Sequence, residues 1–155
     1  MSLYKISFCD DRWATGLATF DKDNLIKMVK DGSIDRRAKK YGIPLPATQE
    51  EYITTENVAV ISPSTIISKY NIEHIDLLMI DTKGFDYHIL NMFLTAQLIP
   101  SCIIFEHFHF SEEETKQTES LLSKHQFIYK KYNGNTIAIL NKPEYSNIHA
   151  LLNHD

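Results

Sequence analysis

Apolar and polar positions divide this chain into two halves that read with different clarity. In the C-terminal half, residues 75–81 (IDLLMID) are almost continuously apolar, the pattern of a strand covered on both faces of a parallel sheet. Phe85, Ile89, Met92, Phe93 and Ala96 then recur at helical spacing, with Asp86, His88 and Asn91 facing away and Pro100 as the stop. Residues 102–108 (CIIFEHF) read as the next strand. Ser111 with Glu114 three residues later forms a capping box, and the helix it opens ends near Lys124 and His125. Residues 127–132 and 136–140 flank Asn133, Gly134 and Asn135, a hairpin signal.

The N-terminal half is less regular. Residues 3–8 (LYKISF) alternate enough for a short strand, and residues 10–19, which hold the sole Trp, Trp13, read as irregular. Asp21 or Asp23 caps a helix over 21–30 whose stripe is Leu25, Ile26 and Val29, with Gly32 just past its end. Residues 33–56 combine Arg36, Arg37, Lys39 and Lys40 with two prolines and two glutamates, and read as a surface excursion. A strand follows over 57–61 (NVAVI), then a short helix from Pro63 to Tyr70. The resulting order predicts an α/β fold with a mostly parallel sheet covered by helices, closed by an antiparallel hairpin. A single domain over 1–140 and a polar, loosely attached tail over 141–155 complete the expectation.

Composition narrows the function classes. A chain of 155 residues is the size of one domain, and 43% hydrophobic with 23% charged residues excludes a disordered chain. Sixteen Lys and Arg against 20 Asp and Glu give a net charge of −4, so no basic excess drives binding to nucleic acid or a membrane surface. The longest apolar stretch, residues 98–105, is too short to span a bilayer. Charged residues come too early for a signal peptide, and the two cysteines, Cys9 and Cys102, make no disulfide framework. A reduced, cytoplasmic protein is expected.

Four stretches, in this order and spacing, carry a family resemblance: residues 13–21 (WATGLATFD), 75–87 (IDLLMIDTKGFDY), 100–107 (PSCIIFEH) and 135–140 (NTIAIL). Together they resemble the FkbM family of S-adenosylmethionine-dependent methyltransferases, and the second is the most specific. The resemblance implies a Rossmann-like methyltransferase domain acting on a hydroxyl of a small molecule, often a sugar or polyketide, with S-adenosylmethionine as donor. Two departures accompany it. Lys83 stands where the family usually has Glu. The five glycines, Gly16, Gly32, Gly42, Gly84 and Gly134, include no Gly-x-Gly pair for the donor's turn. The chain therefore looks like the C-terminal portion of a family member, and no cofactor-binding residue is carried over. A strand at 75–81 without its usual neighbour presents an open apolar edge, so self-association or a complementing chain is expected. The alternative to a truncated or partner-dependent enzyme is a non-catalytic remnant or interaction module that kept the fold core and lost the cofactor site.

Candidate chemistry follows from the rule that open α/β sheets bind ligands beyond the carboxyl ends of their strands. Asp81 and the run from Glu106 to His109 occupy those ends, so Asp81, Glu106, His107 and His109 are the candidate catalytic set, with Asp81, His107 or His109 as the base. Asp81 equally reads as a cap for the following helix. Lys83 is a candidate substrate contact, or a solvated turn residue, or a partner of Asp86 or Glu106. His107 and His109 share a strand face in this reading and with Asp81 would make a three-ligand metal set, or are simply packed and hydrogen-bonded. Trp13 covers a substrate or anchors its loop to the core.

Overall fold

The computed structural model describes residues 1–96 and 98–152. Its contacts divide into two compact units, one formed by Met1–Val60 with Thr82–Phe85, the other by Ile61–Asp81 and the chain from Asp86 on.

In the first unit β1 (Ser2–Ile6) pairs antiparallel with β2 (Ile53–Asn57), Ile6 opposite Ile53 and Tyr4 opposite Thr55. Three helices accompany this ribbon: α1 (Arg12–Thr15), α2 (Lys22–Lys30) and α3 (Ser33–Tyr41). The Asp21 carboxylate caps α2 by accepting the amides of Asp23 at 3.0 Å and Asn24 at 3.4 Å, the arrangement its side chain favours at a helix start. Leu25 and Val29, one turn apart, are buried beside Ile6, Ala14, Leu17, Ile34 and Tyr52.

Three expectations change here. The segment 33–56 is not a surface excursion: it holds α3, a 3-10 turn (Gln49–Tyr52) and β2. Ile34 and Ala38 are fully buried while Arg36, Arg37, Lys39 and Lys40 stay exposed. A buried face of two residues is easily masked by four cations. The strand lies at 53–57 rather than 57–61, because pairing with β1 sets its place, and Val60 and Ile61 are exposed. Residues 10–19 contain a short helix, α1, which carries Trp13.

The second unit is built on a four-stranded sheet in the order β3 (Leu77–Ile80), β4 (Cys102–Glu106), β6 (Asn135–Leu140), β5 (Phe127–Tyr132). Only β3 and β4 run parallel; β4–β6 and the β5–β6 hairpin are antiparallel. The short helix α4 (Pro63–Lys69), capped by Ser62, precedes the sheet. Helices α5 (Asp86–Thr95) and α6 (Glu112–Lys124) join it in one core of Ile80, Leu90, Leu94, Ile103, Phe105, Leu122, Phe127 and Ala138. Full burial of Leu90 and of Leu94 contributes about 1.5–3 kcal/mol each. The Ser111–Glu114 capping box is formed.

The buried stripe of α5 is Asp86, Leu90 and Leu94, not the expected Phe85–Ile89–Met92–Phe93–Ala96 set, and Met92 is exposed. The helix is apolar almost all round, so periodicity barely separates its faces. Nor is β3 buried on both faces. It ends the sheet, and Leu77 and Met79 are 50% and 66% exposed while Ile80 is buried. The tail is ordered as far as described: a turn (Pro143–Tyr145) leads into α7 (Ser146–Leu152). Tyr145 and Ser101 share a hydroxyl hydrogen bond of 2.8 Å, and the His149 Nε2 proton goes to the Leu140 carbonyl at 3.1 Å. Residues 153–155 of the expected tail lie outside the described residues.

Candidate functional site

The carboxyl ends of the parallel strands β3 and β4 place two of the expected residues at one level, and a third reaches the second of them. Ile80 is in register with Phe105, so the next residues, Asp81 and Glu106, stand at matching positions where the two strands run out. Asp81 is exposed and Glu106 half-buried. Because α5 begins only at Asp86, Asp81 lies four residues ahead of the residue that precedes the helix. β4 ends at Glu106, two residues earlier than expected, and the chain turns over 107–110, with the Phe110 amide donating to the His107 carbonyl at 3.1 Å. That turn carries His109 back to Glu106, with Nε2 at 3.8 Å from Oε2.

His107 goes elsewhere. Its amide donates to the Gly134 carbonyl at 2.8 Å, and its ring meets the hairpin: Nδ1 lies 2.9 Å from Oγ1 of Thr136, a buried residue of β6. The ring lines a cavity of about 20 Å3 shared with Phe105, Phe110, Thr118 and Lys131. Burial lowers the His107 pKa below the ordinary histidine value, the Lys131 charge adds to this, and Glu106 partly offsets both. The imidazole is therefore neutral at pH 7. Since His107 and His109 lie in a turn and not on one strand face, their alternate spacing does not converge on a common point. Among the described residues no group of three or more His, Cys, Asp or Glu side chains is placed to hold a metal ion.

Lys83 and Trp13 belong to the first unit. Trp13 is partly buried against that unit's core, its ring stacked on Tyr41 with centroids 6.2 Å apart and planes 5° off parallel. Its indole nitrogen is buried without a protein partner. Lys83 adopts a left-handed backbone conformation, φ 53°, and Gly84 follows at φ 107°. For a residue with a side chain the left-handed region costs roughly 1–2 kcal/mol. Two hydrogen bonds to one oxygen offset it: Thr19 Oγ1 donates to the Lys83 carbonyl at 2.8 Å and Asn24 Nδ2 at 2.7 Å. Thr19 and Asn24 are both buried. The Thr19 hydroxyl also accepts the Asp21 amide at 3.0 Å. A Cβ on Gly84 would sit 3.1 Å from Asn24 Nδ2 and 3.4 Å from an Asp21 carboxylate oxygen. Phe20 and Phe85 pack edge to face, 5.5 Å apart, alongside.

Sequence reasoning missed Thr19, Asn24, Thr136 and the fully buried Asp86. Thr19, Asp86 and Thr136 each sit in one of the four family-like stretches, so position within a motif was a usable signal for them. Asn24 lies outside all four and carries no local signal, since it acts on a residue far along the chain.

Whether these residues fit an adenosyl donor is decided by the backbone. Such a donor needs a turn whose glycines leave room for close approach. Here the glycine that follows a strand of the main sheet, Gly84, has the space around its Cα filled by Asn24 and Asp21. This chain's described residues do not by themselves build that cradle.

The chain matches no curated protein and no solved structure. Among the described residues, no helix is long and apolar enough to cross a membrane. The family model for the methyltransferase FkbM domain matches residues 12–131, more than three quarters of the chain. With an α/β core and acidic residues at the carboxyl ends of its parallel strands, the chain belongs to the FkbM methyltransferase family.

Proposed function

We propose that this chain serves an S-adenosylmethionine-dependent O-methyltransferase with a partial Rossmann-like fold. Its acceptor is a hydroxyl-bearing small molecule of the sugar or polyketide class. The observation that carries the reading is the family match over residues 12–131. Asp81 at the end of β3 accepts the hydroxyl proton, and Glu106 with His109 sets the charge beside it. His107, held in the hairpin, supports the turn and does not act as the base. Trp13 braces the first unit.

The donor site is completed by a complementing chain that brings the glycine-rich turn. Support comes from the absence of any Gly-x-Gly pair and from β3, an unpaired apolar edge of the kind that accepts another strand. Lys83 and the same missing pair favour a second reading, a non-catalytic module. Calorimetric titration of the folded chain with S-adenosylhomocysteine separates the two. Micromolar binding by the chain alone makes it a self-sufficient methyltransferase and removes the need for a complementing chain. Binding that appears only with a second polypeptide supports the proposal. No heat under either condition leaves the non-catalytic module.

A further inference from the structure

We infer that Phe108 is the platform for the acceptor: its exposed ring carries a saturated C–H face of that molecule beside the carboxylates that receive the hydroxyl. This deepens the methyltransferase reading and rests on it. The residues concerned, Asp81, Glu106, Phe108 and His109, all belong to the second unit. Phe108 comes two residues after β4 ends at Glu106, at the strand ends where open α/β sheets take their ligands. It is 74% exposed, the most exposed large apolar side chain among the described residues. Contacts lead from its ring to the acids. The Phe108 and His109 rings meet edge to face with centroids 5.2 Å apart, and His109 in turn reaches Glu106. Asp81 stands level with Glu106 on the neighbouring strand.

A single exposed apolar side chain is ordinary and by its exposure assigns nothing. What sets Phe108 apart is that the turn around it is anchored on both sides. Before it, the His107 amide donates to the Gly134 carbonyl and the His107 ring meets Thr136. After it, Phe110 stacks on the buried Phe105 with centroids 5.9 Å apart, and its amide closes the turn on the His107 carbonyl. The stem of Phe108 lies beside Gly134, where a Cβ would sit 3.5 Å from the Phe108 Cβ. An aromatic ring open to solvent on an anchored turn meets a ligand at little further ordering cost. The face of such a ring is negative and attracts weakly positive C–H hydrogens, while carboxylates accept O–H donors. A molecule with a saturated ring next to a hydroxyl satisfies both groups. A small polyol without such a face satisfies only the carboxylates.

The experiment follows the phenylalanine rings of the full chain by NMR, with carbon-13 label in its eight phenylalanines. Two ring probes are titrated in, methyl β-D-glucopyranoside and trans-1,2-cyclohexanediol, with glycerol as the polyol that lacks a ring. The signal of Phe108 is identified by its loss in Phe108→Leu, which keeps apolar bulk and removes the aromatic face. Both ring probes are expected to shift the Phe108 signal saturably, and glycerol to leave it in place. By calorimetry Phe108→Leu should weaken both ring probes by roughly two- to tenfold, and Phe108→Tyr should bind them as the wild type does. Thermal melts of both variants should match the wild type, because the side chain is exposed, so a lost affinity is not a lost fold. A Phe108 signal unmoved by either ring probe overturns the inference, and this reading needs no variant. So does an unchanged affinity in Phe108→Leu, or a glycerol shift equal to that of the ring probes. S-adenosylhomocysteine, titrated with and without a complementing chain, separates the two failures. Its binding with no ring-probe shift at Phe108 sinks the platform and leaves the methyltransferase reading. Ring probes that depend on Phe108, with no binding of S-adenosylhomocysteine under either condition, keep the platform and sink that reading.

Discussion

Replacing Gly84 with alanine puts a number on how firmly the turn after β3 is held. Two effects add. The residue must stay at φ 107°, a region where a side chain costs about 1–3 kcal/mol. The new Cβ also meets Asn24 Nδ2 at 3.1 Å, so the amide must retreat from the Lys83 carbonyl it holds at 2.7 Å. Weakening that bond costs about 0.5–1.5 kcal/mol more. The expected destabilisation of the first unit is about 1.5–4.5 kcal/mol. Trp13 is the sole tryptophan and packs against that unit's core, so its fluorescence during urea unfolding reports on that unit. The two contributions separate in an Asn24→Ala background, where the steric conflict is gone and Gly84→Ala retains only the φ cost. The coupling between the two substitutions should therefore be about 0.5–1.5 kcal/mol. A cost for Gly84→Ala below about 0.5 kcal/mol, well under the strain range, refutes the argument that the turn is fixed. An equal cost in both backgrounds refutes the contact with Asn24.

Met79→Lys places a charge on the exposed face of the β3 edge, the device by which proteins blunt such edges. Sedimentation equilibrium should show association of the wild-type chain that is lost in the variant, and a wild-type chain that stays monomeric as concentration rises removes self-association. The His107 ring gives a pH dependence whose sign is fixed by its lowered pKa. Above the ordinary histidine value both folded and unfolded chains carry it neutral, and it contributes no slope. As the pH falls through that value the unfolded chain takes the proton first, so stability drops until the pH is below the folded-state pKa. His125, also lowered by burial, acts in the same direction. Urea titrations at a series of pH values should show a shallower acid slope for His107→Gln than for the wild type, and identical slopes would contradict the burial of the ring.

How far the fold was legible depended on what each element needed from its neighbours. The α6 capping box, the α2 cap and the hairpin at Asn133 and Gly134 are decided within a few residues; the box and the hairpin are where the sequence puts them, and the cap falls on Asp21, one of the two aspartates the sequence offers. The face of α5 was misread because its apolar residues nearly encircle it, leaving packing to choose Leu90 and Leu94. β2 was misplaced because its pairing partner, β1, lies some fifty residues away. A sequence scan sees the apolar run 57–61 but not the register that selects 53–57. The run at β3 was read as a strand, correctly, but its composition says only that it tolerates burial; sheet order leaves Leu77 and Met79 in the open.

The same distinction separates the parts of the candidate site. Asp81 and Glu106 are legible because their place is set by the strands they end, and parallel register carries both to one level. His109 returns to Glu106 and His107 leaves for Thr136 because the chain turns after β4, and the alternation that joined them in sequence belongs only to a continuing strand. Lys83 stands out by its charge, yet what governs it is invisible locally: two buried side chains on the far side of the chain, bonded to its carbonyl and not to its ammonium. A residue's type announces chemistry, but the conformation of its backbone is set by whatever holds it. At this turn the holding groups are an ordinary threonine and an ordinary asparagine, which gain their meaning only from the left-handed residue between β3 and α5 that they make tolerable.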